Sequence, residues 1–529
     1  MGSQPRASAG IWSRTRAMRR SVSATSSSTE PMWSFFVDAL HCTSAPRVMA
    51  DLDPQQAEAL ERALAGENLF VTGPGGTGKT HLIRALVAAC AAAEPAIPVA
   101  VTATTGAAAV LLGGTTLHKF LGMGLCDGSL ASLRAAATRR ARGPAGAAMR
   151  RVRLLVVDEV SMLPRDFLER VDIILRVLRR EDRFFGGLQV VFFGDFYQLP
   201  PVDARAGFAF ESAAWAALID DANVIQLRTP HRQADPAFFA LLQRARAGAL
   251  TEADRAALDA RVGAPLAPAL EAAGVRPTRV VPHRAMAERL NMRELAKLPA
   301  EGQVVLSAAT VARGVAAGQR KAVVAQLERL VRDVPVPSRL PLRVGAQVTL
   351  TWNLDVSRGL VNGARGLLVG IEGTCESDAL QRWVDDAGPP LSAFPREFPA
   401  GLPTLVVRFK DATVPMPLVA WTRRADGLEP PPTLAVVGVP LRLGWADTVH
   451  AMQGATLDAA HVDLRVWEAG QAYVAVSRVR TLEGLVLHAP LGPRVFFASP
   501  KVQRYYARLA RRAAGEAPAA AAAAALPAS

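Results

Sequence analysis

GPGGTGKT, Gly73 to Thr80, is the stretch that decides the fold. It stands between an apolar run, NLFVTG, and a helical pattern, KTHLIRALVAAC, which is the strand, loop and helix order of a P-loop. In such a loop Gly73, Pro74, Gly75, Gly76, Thr77 and Gly78 let backbone N–H groups wrap the phosphates of a nucleoside triphosphate. Lys79 and Thr80 then take phosphate and a magnesium ion.

Outward from this loop, strand-length apolar runs alternate with helical patterns between about residues 52 and 225. PVAVTA, VRLLVVDE and LQVVFFGD each end where polar residues begin, the rhythm of an α/β fold with a parallel sheet whose ligands sit at the carboxyl ends of the strands. VRLLVVDE ends in Asp158 and Glu159, placed to hold the metal and to polarise an attacking water as general base. GDFYQLPPV follows the next strand and presents Gln198, an uncharged amide able to sense a γ-phosphate and lose that contact on hydrolysis. The pattern lapses into Gly, Ala and Arg at about 121–151, which reads as a small insertion. A second α/β region begins near Val224 with VIQLRTPHRQAD and resumes near Thr433. Between its parts, Leu342 to Glu372 and Pro403 to Thr422 read as short alternating strands, with Asn362-Gly363 as a hairpin turn and Gly373 to Gly401 as an acidic loop.

With 529 residues, half of them hydrophobic, the chain has room for two or three cores. The net charge of +14, from 61 basic and 47 acidic residues, points to polyanionic partners. Only six of the 61 are lysines, a bias that fits a GC-rich coding sequence. Four scattered cysteines without a C-x-x-C pair argue against a zinc site or a disulfide framework and suit a reducing compartment. Charges and prolines interrupt the longest apolar stretch, so no membrane span is expected. The first 29 residues hold five arginines, eight serines and no acid, the composition of a transit peptide; a mitochondrial location is favoured over a nuclear one.

The motifs LDPQQ, GPGGTGKT, TATTGAAA, GGTTLHKF, VVDEVSML, GDFYQLPPV, HRQAD, HAMQG and GQAYVAVSRVR, in that order, resemble the PIF (petite integration frequency) family of superfamily 1 DNA helicases, with RecD helicases as cousins. FLERVDIILRVLRREDRFFGGLQ resembles the helix that separates this family from RecD, with Asp172, Arg176 and the Phe185-Gly186-Gly187 turn in place. The resemblance implies two RecA-like domains, the first over 46–225 and the second split into 226–341 and 433–500 around a small SH3-like β-barrel at 342–432. Residues 1–45 would be a basic tail or transit peptide, and 501–529 a mostly disordered tail.

By the same resemblance Gln56 reads adenine, Gly454 borders the nucleotide, Arg232 and Arg478 are arginine fingers from the second domain, and Lys79, Glu159 and Gln198 complete the catalytic set. Cations brought from a separate domain to a developing phosphoryl charge make catalysis conditional on closure. Thr104, Thr105, Gly106, Thr116, His118, Thr448 and His450 would line a groove for DNA, touching phosphate and sugar without demanding a base. The implied protein is a monomeric ATP- and Mg²⁺-dependent helicase moving five-prime to three-prime on single-stranded DNA and opening forked or tailed duplexes in repair, recombination, or telomere or mitochondrial DNA maintenance.

One loop departs from the family. His450-Ala451-Met452-Gln453-Gly454 replaces His-Lys-Ser-Gln-Gly, and Asp447 replaces an apolar neighbour, so a lysine is lost from the expected DNA groove and a negative charge arrives. Two other readings compete: a RecD-like subunit, which the signature helix opposes, and a scaffold with a switch-like or dead ATPase. A dead site has no need of Lys79, Thr80, Asp158, Glu159, Gln198, Arg232 and Arg478 together.

Overall fold

The computed structural model describes residues 51–514, apart from 125, 127, 267, 269–276, 301–302, 335, 356–357, 359, 374–378, 388–390, 392–393, 400, 411, 426–427, 429, 431 and 466–467. The expected transit peptide and the last fifteen residues of the expected tail, 515–529, lie outside the described residues. No helix among the described residues is long and apolar enough to cross a membrane.

The first sheet contains β1 (Leu69–Thr72), β2 (Val99–Ala103), β3 (Thr115–Thr116), β4 (Leu154–Asp158), β5 (Gln189–Gly194) and β6 (Val224–Gln226). Its order is β3-β2-β4-β5-β1-β6 and every pairing is parallel. Helices cover both faces of such a sheet, which is why its central strands are unbroken apolar runs. Leu69, Phe70, Val71, Leu155, Val156, Val191 and Phe192 are all fully buried. The P-loop, Glu159 and the Asp195–Leu199 loop leave β1, β4 and β5 at the same edge. VIQ, read from sequence as the opening of the second region, instead completes this sheet: Ile225 stands opposite Val71 in parallel register.

The second parallel sheet is built from β7 (Thr278–Val281) and three strands from much later in the chain. Between them come β8 (Val304–Ser307), β9 (Ala309–Arg313), β10 (Arg339–Leu342), β11 (Gln347–Leu350), β12 (Arg365–Glu372), β13 (Thr404–Phe409), β14 (Thr413–Pro415), β15 (Val419–Arg424), β16 (Thr433–Gly438) and β17 (Leu441–Leu443). The chain then returns with β18 (Ala446–Thr448), β19 (Ala460–Val462) and β20 (Leu485–Leu487), giving the order β18-β7-β19-β20.

The inserted region is therefore wider than the expected 342–432. β8 pairs with β10, and β16 pairs with β9, so both the 304–342 and the 433–443 segments belong to it. Its largest sheet has the open order β14-β13-β12-β11-β17, and among the described residues the two end strands do not pair, so the strand pairings do not establish the expected SH3-like β-barrel. One apolar core, including Leu306, Leu342, Val348, Leu368, Val407, Leu418, Val437 and Leu441, unites strands from all three inserted sheets, which explains why the boundaries cannot be drawn at the barrel-like strands alone. Gly363 (φ +91°) closes a longer loop in which Asp355 and Leu360 bridge, rather than a two-residue hairpin. Part of the presumed acidic loop is a helix, Ala379–Ala387, anchored by buried Leu380 and Val384.

Helices Leu130–Ala141 and Pro144–Arg151 form the small insertion. They are tied to helix Arg165–Arg179 by Arg179, which donates to Met149 O and Val152 O, both at 2.8 Å. In that helix Asp172 is buried, pairs with Arg176 at 2.9 Å and accepts from Phe185 N at 2.7 Å, fixing the turn that follows. The expected disordered tail opens with a helix, Pro500–Ala513, whose Val502, Tyr505, Tyr506 and Leu509 are buried. A repeating apolar face of this kind drives docking, and the low-complexity run lies beyond it.

Candidate nucleotide site and nucleic-acid interface

Asp53 caps helix Pro54–Leu64 by accepting from Gln55 N and Gln56 N, both at 3.0 Å, and the Gln56 side chain accepts from Asp53 N at 3.1 Å. This reciprocal cap orients the Gln56 amide, which then donates to Thr77 O at 3.3 Å inside the P-loop. Gly78 is left-handed (φ +79°), and a β-carbon there would strike the same amide, so the loop accepts only glycine at that point. Helix Lys79–Ala92 begins at once. Lys79 Nζ donates to Gly73 O at 2.5 Å and Pro74 O at 2.9 Å. Burial lowers its pKa, opposed by the charges of Asp195, Glu159 and Asp158. Thr80 follows on the same turn.

Across the sheet edge, Asp158 accepts from Glu159 N at 2.8 Å. Burial, reinforced by the neighbouring Glu159 charge, pushes Asp158 up to about 7, and burial also raises Glu159. Glu159 takes a left-handed backbone (φ +56°), a strained choice for a residue with a β-carbon. Two buried carboxylates beside a phosphate cradle have the oxygen chemistry that suits a hard cation. Among the described residues no cluster of three or more His, Cys, Asp or Glu that could hold a metal ion is present.

The second unit supplies the rest. Arg478, 1% exposed, donates to Val474 O at 2.8 Å, Ser477 Oγ at 2.9 Å and Ala455 O at 3.5 Å. Arg232 donates to Ser477 O at 3.0 Å and Gly454 O at 3.4 Å. None of these acceptors is a carboxylate. Burial lowers both guanidinium pKa values, and with Arg478's like charge added, Arg232 falls to about 9. Both groups converge on the cradle: a β-carbon at Gly75 would lie 3.1 Å from Arg478 Nη2 and 3.5 Å from Arg232 Nη1. Neither guanidinium donates to a carboxylate, and the more distant Glu159 charge offsets them only in part, which suits the pair to a polyanion.

Other contacts at this joint were not foreseen from the sequence. Gly75 N donates to the Tyr473 hydroxyl at 2.8 Å, Gln453 donates to Glu159 Oε2 at 2.7 Å, and Gln233 ties the HRQ loop to Ser477 O and Val479 O at 3.2 and 3.0 Å. Tyr473 and Gln453 lie inside recognised motifs, so the signal was their place in GQAYVAVSRVR and HAMQG. Gln198 is buried on its loop, its N–H bound to Asp195 O at 2.8 Å.

The candidate DNA residues fall into two sorts. Thr105, Thr116 and Thr448 each accept a backbone N–H, from Ala108, Lys119 and Ala451 at 3.2, 3.3 and 3.2 Å, which leaves each hydroxyl proton free for a phosphate. Gly106 is exposed. Thr104 instead donates to Glu159 O at 2.9 Å, so its proton links the DNA-side loop to the catalytic strand end. His118 stacks on Phe167 with centroids 4.0 Å apart, and His450 lies 3.9 Å from Glu468; burial lowers the pKa of both histidines. Asp447 is a correction to the sequence reading: it is buried and paired with Arg442, so its charge is neutralised within the protein. Met452 is buried as well, and Ala451 is the exposed change in the loop.

A phosphate cradle completed by arginines from a second parallel α/β unit defines a two-domain P-loop NTPase motor. Residues 52–255 match the PIF1-like helicase family, and residues 326–371 match the 2B domain of DNA helicase Pif1. The ATP-dependent DNA helicase PIF1 of Danio rerio is 36% identical over 482 residues, covering 89% of this chain and 67% of that protein; its Homo sapiens counterpart is 33% identical, covering 94% and 69%. The crystal structure of Pif1 helicase from Candida albicans superposes with a TM-score of 0.71 at 31% identity, covering 87% of this chain and 99% of that one. The chain belongs to the PIF1-like family of ATP-dependent DNA helicases.

Proposed function

We propose that this helicase moves five-prime to three-prime along single-stranded DNA, opening tailed or forked duplexes as a monomer. The observation that carries the motor reading is the convergence of Arg232 and Arg478 on Gly75 of the opposite unit. Because both guanidiniums come from the second unit, catalysis depends on that unit sitting against the cradle, and opening and closing of the cleft would couple turnover to movement. Gln56 positions the base, and the loop N–H groups with Lys79 hold the phosphates. Thr80 and Asp158 would hold Mg²⁺, which supplies charge neutralisation on the phosphoryl oxygens. Glu159, its carboxylate steered by Gln453, accepts the proton of the attacking water. Gln198 reports the loss of the γ-phosphate to its loop. Single-stranded DNA would lie across Thr105, Gly106, Thr116 and Thr448, whose contacts allow sliding.

The basic N-terminal segment supports a mitochondrial location, with genome maintenance as the setting, and a fusion of that segment to a fluorescent reporter would test import. Turnover is tested by DNA-stimulated ATP hydrolysis: Glu159→Gln should abolish it while retaining nucleotide binding, and full turnover in that variant would overturn the assignment. For polarity, a duplex with a five-prime tail should open and one with a three-prime tail should not. The reverse result would refute the direction.

A further inference from the structure

All four tyrosines of the chain gather at one joint between the two units. Its centre is Asp195, fully buried, which receives Arg246 Nη2 at 2.7 Å on one oxygen and Arg246 Nε at 2.8 Å on the other. Asp195 follows β5 and leads into the Gln198 loop; Arg246 comes from helix Pro236–Ala247 of the second unit. The Tyr197 ring lies 4.5 Å from the Arg246 guanidinium and stacks on Tyr506 with centroids 4.8 Å apart. Tyr506, from the C-terminal helix, donates its hydroxyl to Asp195 Oδ1 at 3.4 Å, receives Phe196 N at 3.3 Å, and stands 2.6 Å from the Thr72 hydroxyl. Thr72 is the last residue of β1, directly before the cradle. Tyr505 packs beside it against Phe70, Phe196 and Phe210 of the first unit, and Tyr473 reaches Gly75 N on the other side.

We infer that Tyr506 is a positioning residue of the motor. Its hydroxyl fastens the end of the cradle strand to the start of the Gln198 loop, and through the Asp195–Arg246 pair it fastens both to the second unit. Parting a buried ion pair would strand a charge in a dry interface, so this contact holds the second unit to the cradle strand and to the Gln198 loop, and with Tyr473 on Gly75 it sets the register in which Arg478 meets the cradle. The C-terminal helix is thus a working part of the machine through the side chains it holds in place.

This inference rests on the ATP-driven reading above. Tyr506→Phe keeps the ring stack on Tyr197 and removes the hydroxyl. In the full chain, the kcat of DNA-stimulated ATP hydrolysis should fall about tenfold with KM for ATP within about twofold, because the cradle still binds but closes in poorer register. Lys501→Ala breaks the surface pair between the same helix and Glu211, 2.6 Å apart, without touching Asp195, and should leave kcat within about twofold. A Tyr506→Phe kcat close to that of the parent overturns the inference. So does an equal loss in Lys501→Ala, or a loss explained by unfolding at the assay temperature in a melting curve. A parent that does not hydrolyse ATP with DNA removes the motor reading as well, whereas an active parent with an unaffected Tyr506→Phe removes this inference alone.

Discussion

Replacing Arg478 by methionine separates catalysis from stability at one position. The guanidinium is 1% exposed and its three acceptors are neutral oxygens at 2.8, 2.9 and 3.5 Å. Holding a cation in the interior with no carboxylate among its acceptors costs several kcal/mol, and hydrogen bonds to a charged group return about 1.5–3 kcal/mol each, so with the Glu159 charge nearby the two nearly cancel. Arg478→Met removes both at once and fills most of the space. The nucleotide-free melting temperature should therefore stay within a few degrees of the parent, while kcat falls roughly a thousandfold, about 4 kcal/mol of transition-state stabilisation. Differential scanning fluorimetry and a coupled ATPase assay with single-stranded DNA read the two quantities. Gly75→Ala approaches the same contact from the cradle, since the new β-carbon would lie 3.1 Å from Arg478 Nη2, 3.4 Å from Ser477 Oγ and 3.5 Å from Arg232 Nη1. Displacing the guanidinium by a few tenths of an ångström should cost about ten- to a hundredfold in kcat, and much less in the Arg478→Met background. A kcat within tenfold for Arg478→Met, a drop in melting temperature beyond about 10 °C, or equal Gly75→Ala effects in both backgrounds would refute the reasoning.

Three further outcomes are expected. Asp158 has its pKa raised to about 7 by burial and by Glu159, so the proton favours the folded state: its contribution is full below the unfolded value of about 4 and is lost as pH rises through about 7. The nucleotide-free protein should lose melting temperature from pH 5 to 8 more steeply than Asp158→Asn; parallel profiles would contradict this. Ala451→Lys, at the exposed position of the altered loop, should steepen the salt slope of single-strand affinity by about one, and an unchanged slope would mean that position 451 does not face DNA. Asp172→Ala strands Phe185 N, now held at 2.7 Å, and frees Arg176, so urea unfolding should show a loss of roughly 2–3 kcal/mol; a change below about 0.5 kcal/mol would show the turn stands without it.

Much of the nucleotide site was legible because its chemistry is local. The glycines of 73–78, Lys79 and Thr80 act through backbone geometry set within one loop, and Asp158 and Glu159 must end a strand whose apolar run is unmistakable. The DNA residues were legible as loop-tip positions, but sequence alone could not show that the Thr104 proton is committed to Glu159 O, or that Asp447 is neutralised by Arg442. The strand VIQ was misplaced for a similar reason: three residues fit either sheet, and only the parallel pairing of Ile225 with Val71 decides between them. In the inserted region, short alternating strands announce antiparallel sheets without naming their partners, and only the antiparallel pairing of β9 with β16 places both in the insertion and not in the second α/β unit.

The sequence by itself determined the P-loop and the strand-end carboxylate pair, whose chemistry sits in a few adjacent residues, and the resemblance of HRQAD and GQAYVAVSRVR to the family's motifs added the two arginines. The tertiary structure decided how they are joined. Tyr473 on Gly75, Gln453 on Glu159, and Tyr506 beside Asp195 and Arg246 are contacts between segments hundreds of residues apart, and the last comes from within the expected tail, 501–529. Such contacts leave no periodicity or spacing to read. The last of them exists because burying the apolar face of the C-terminal helix against the first unit carries the Tyr506 hydroxyl to Asp195.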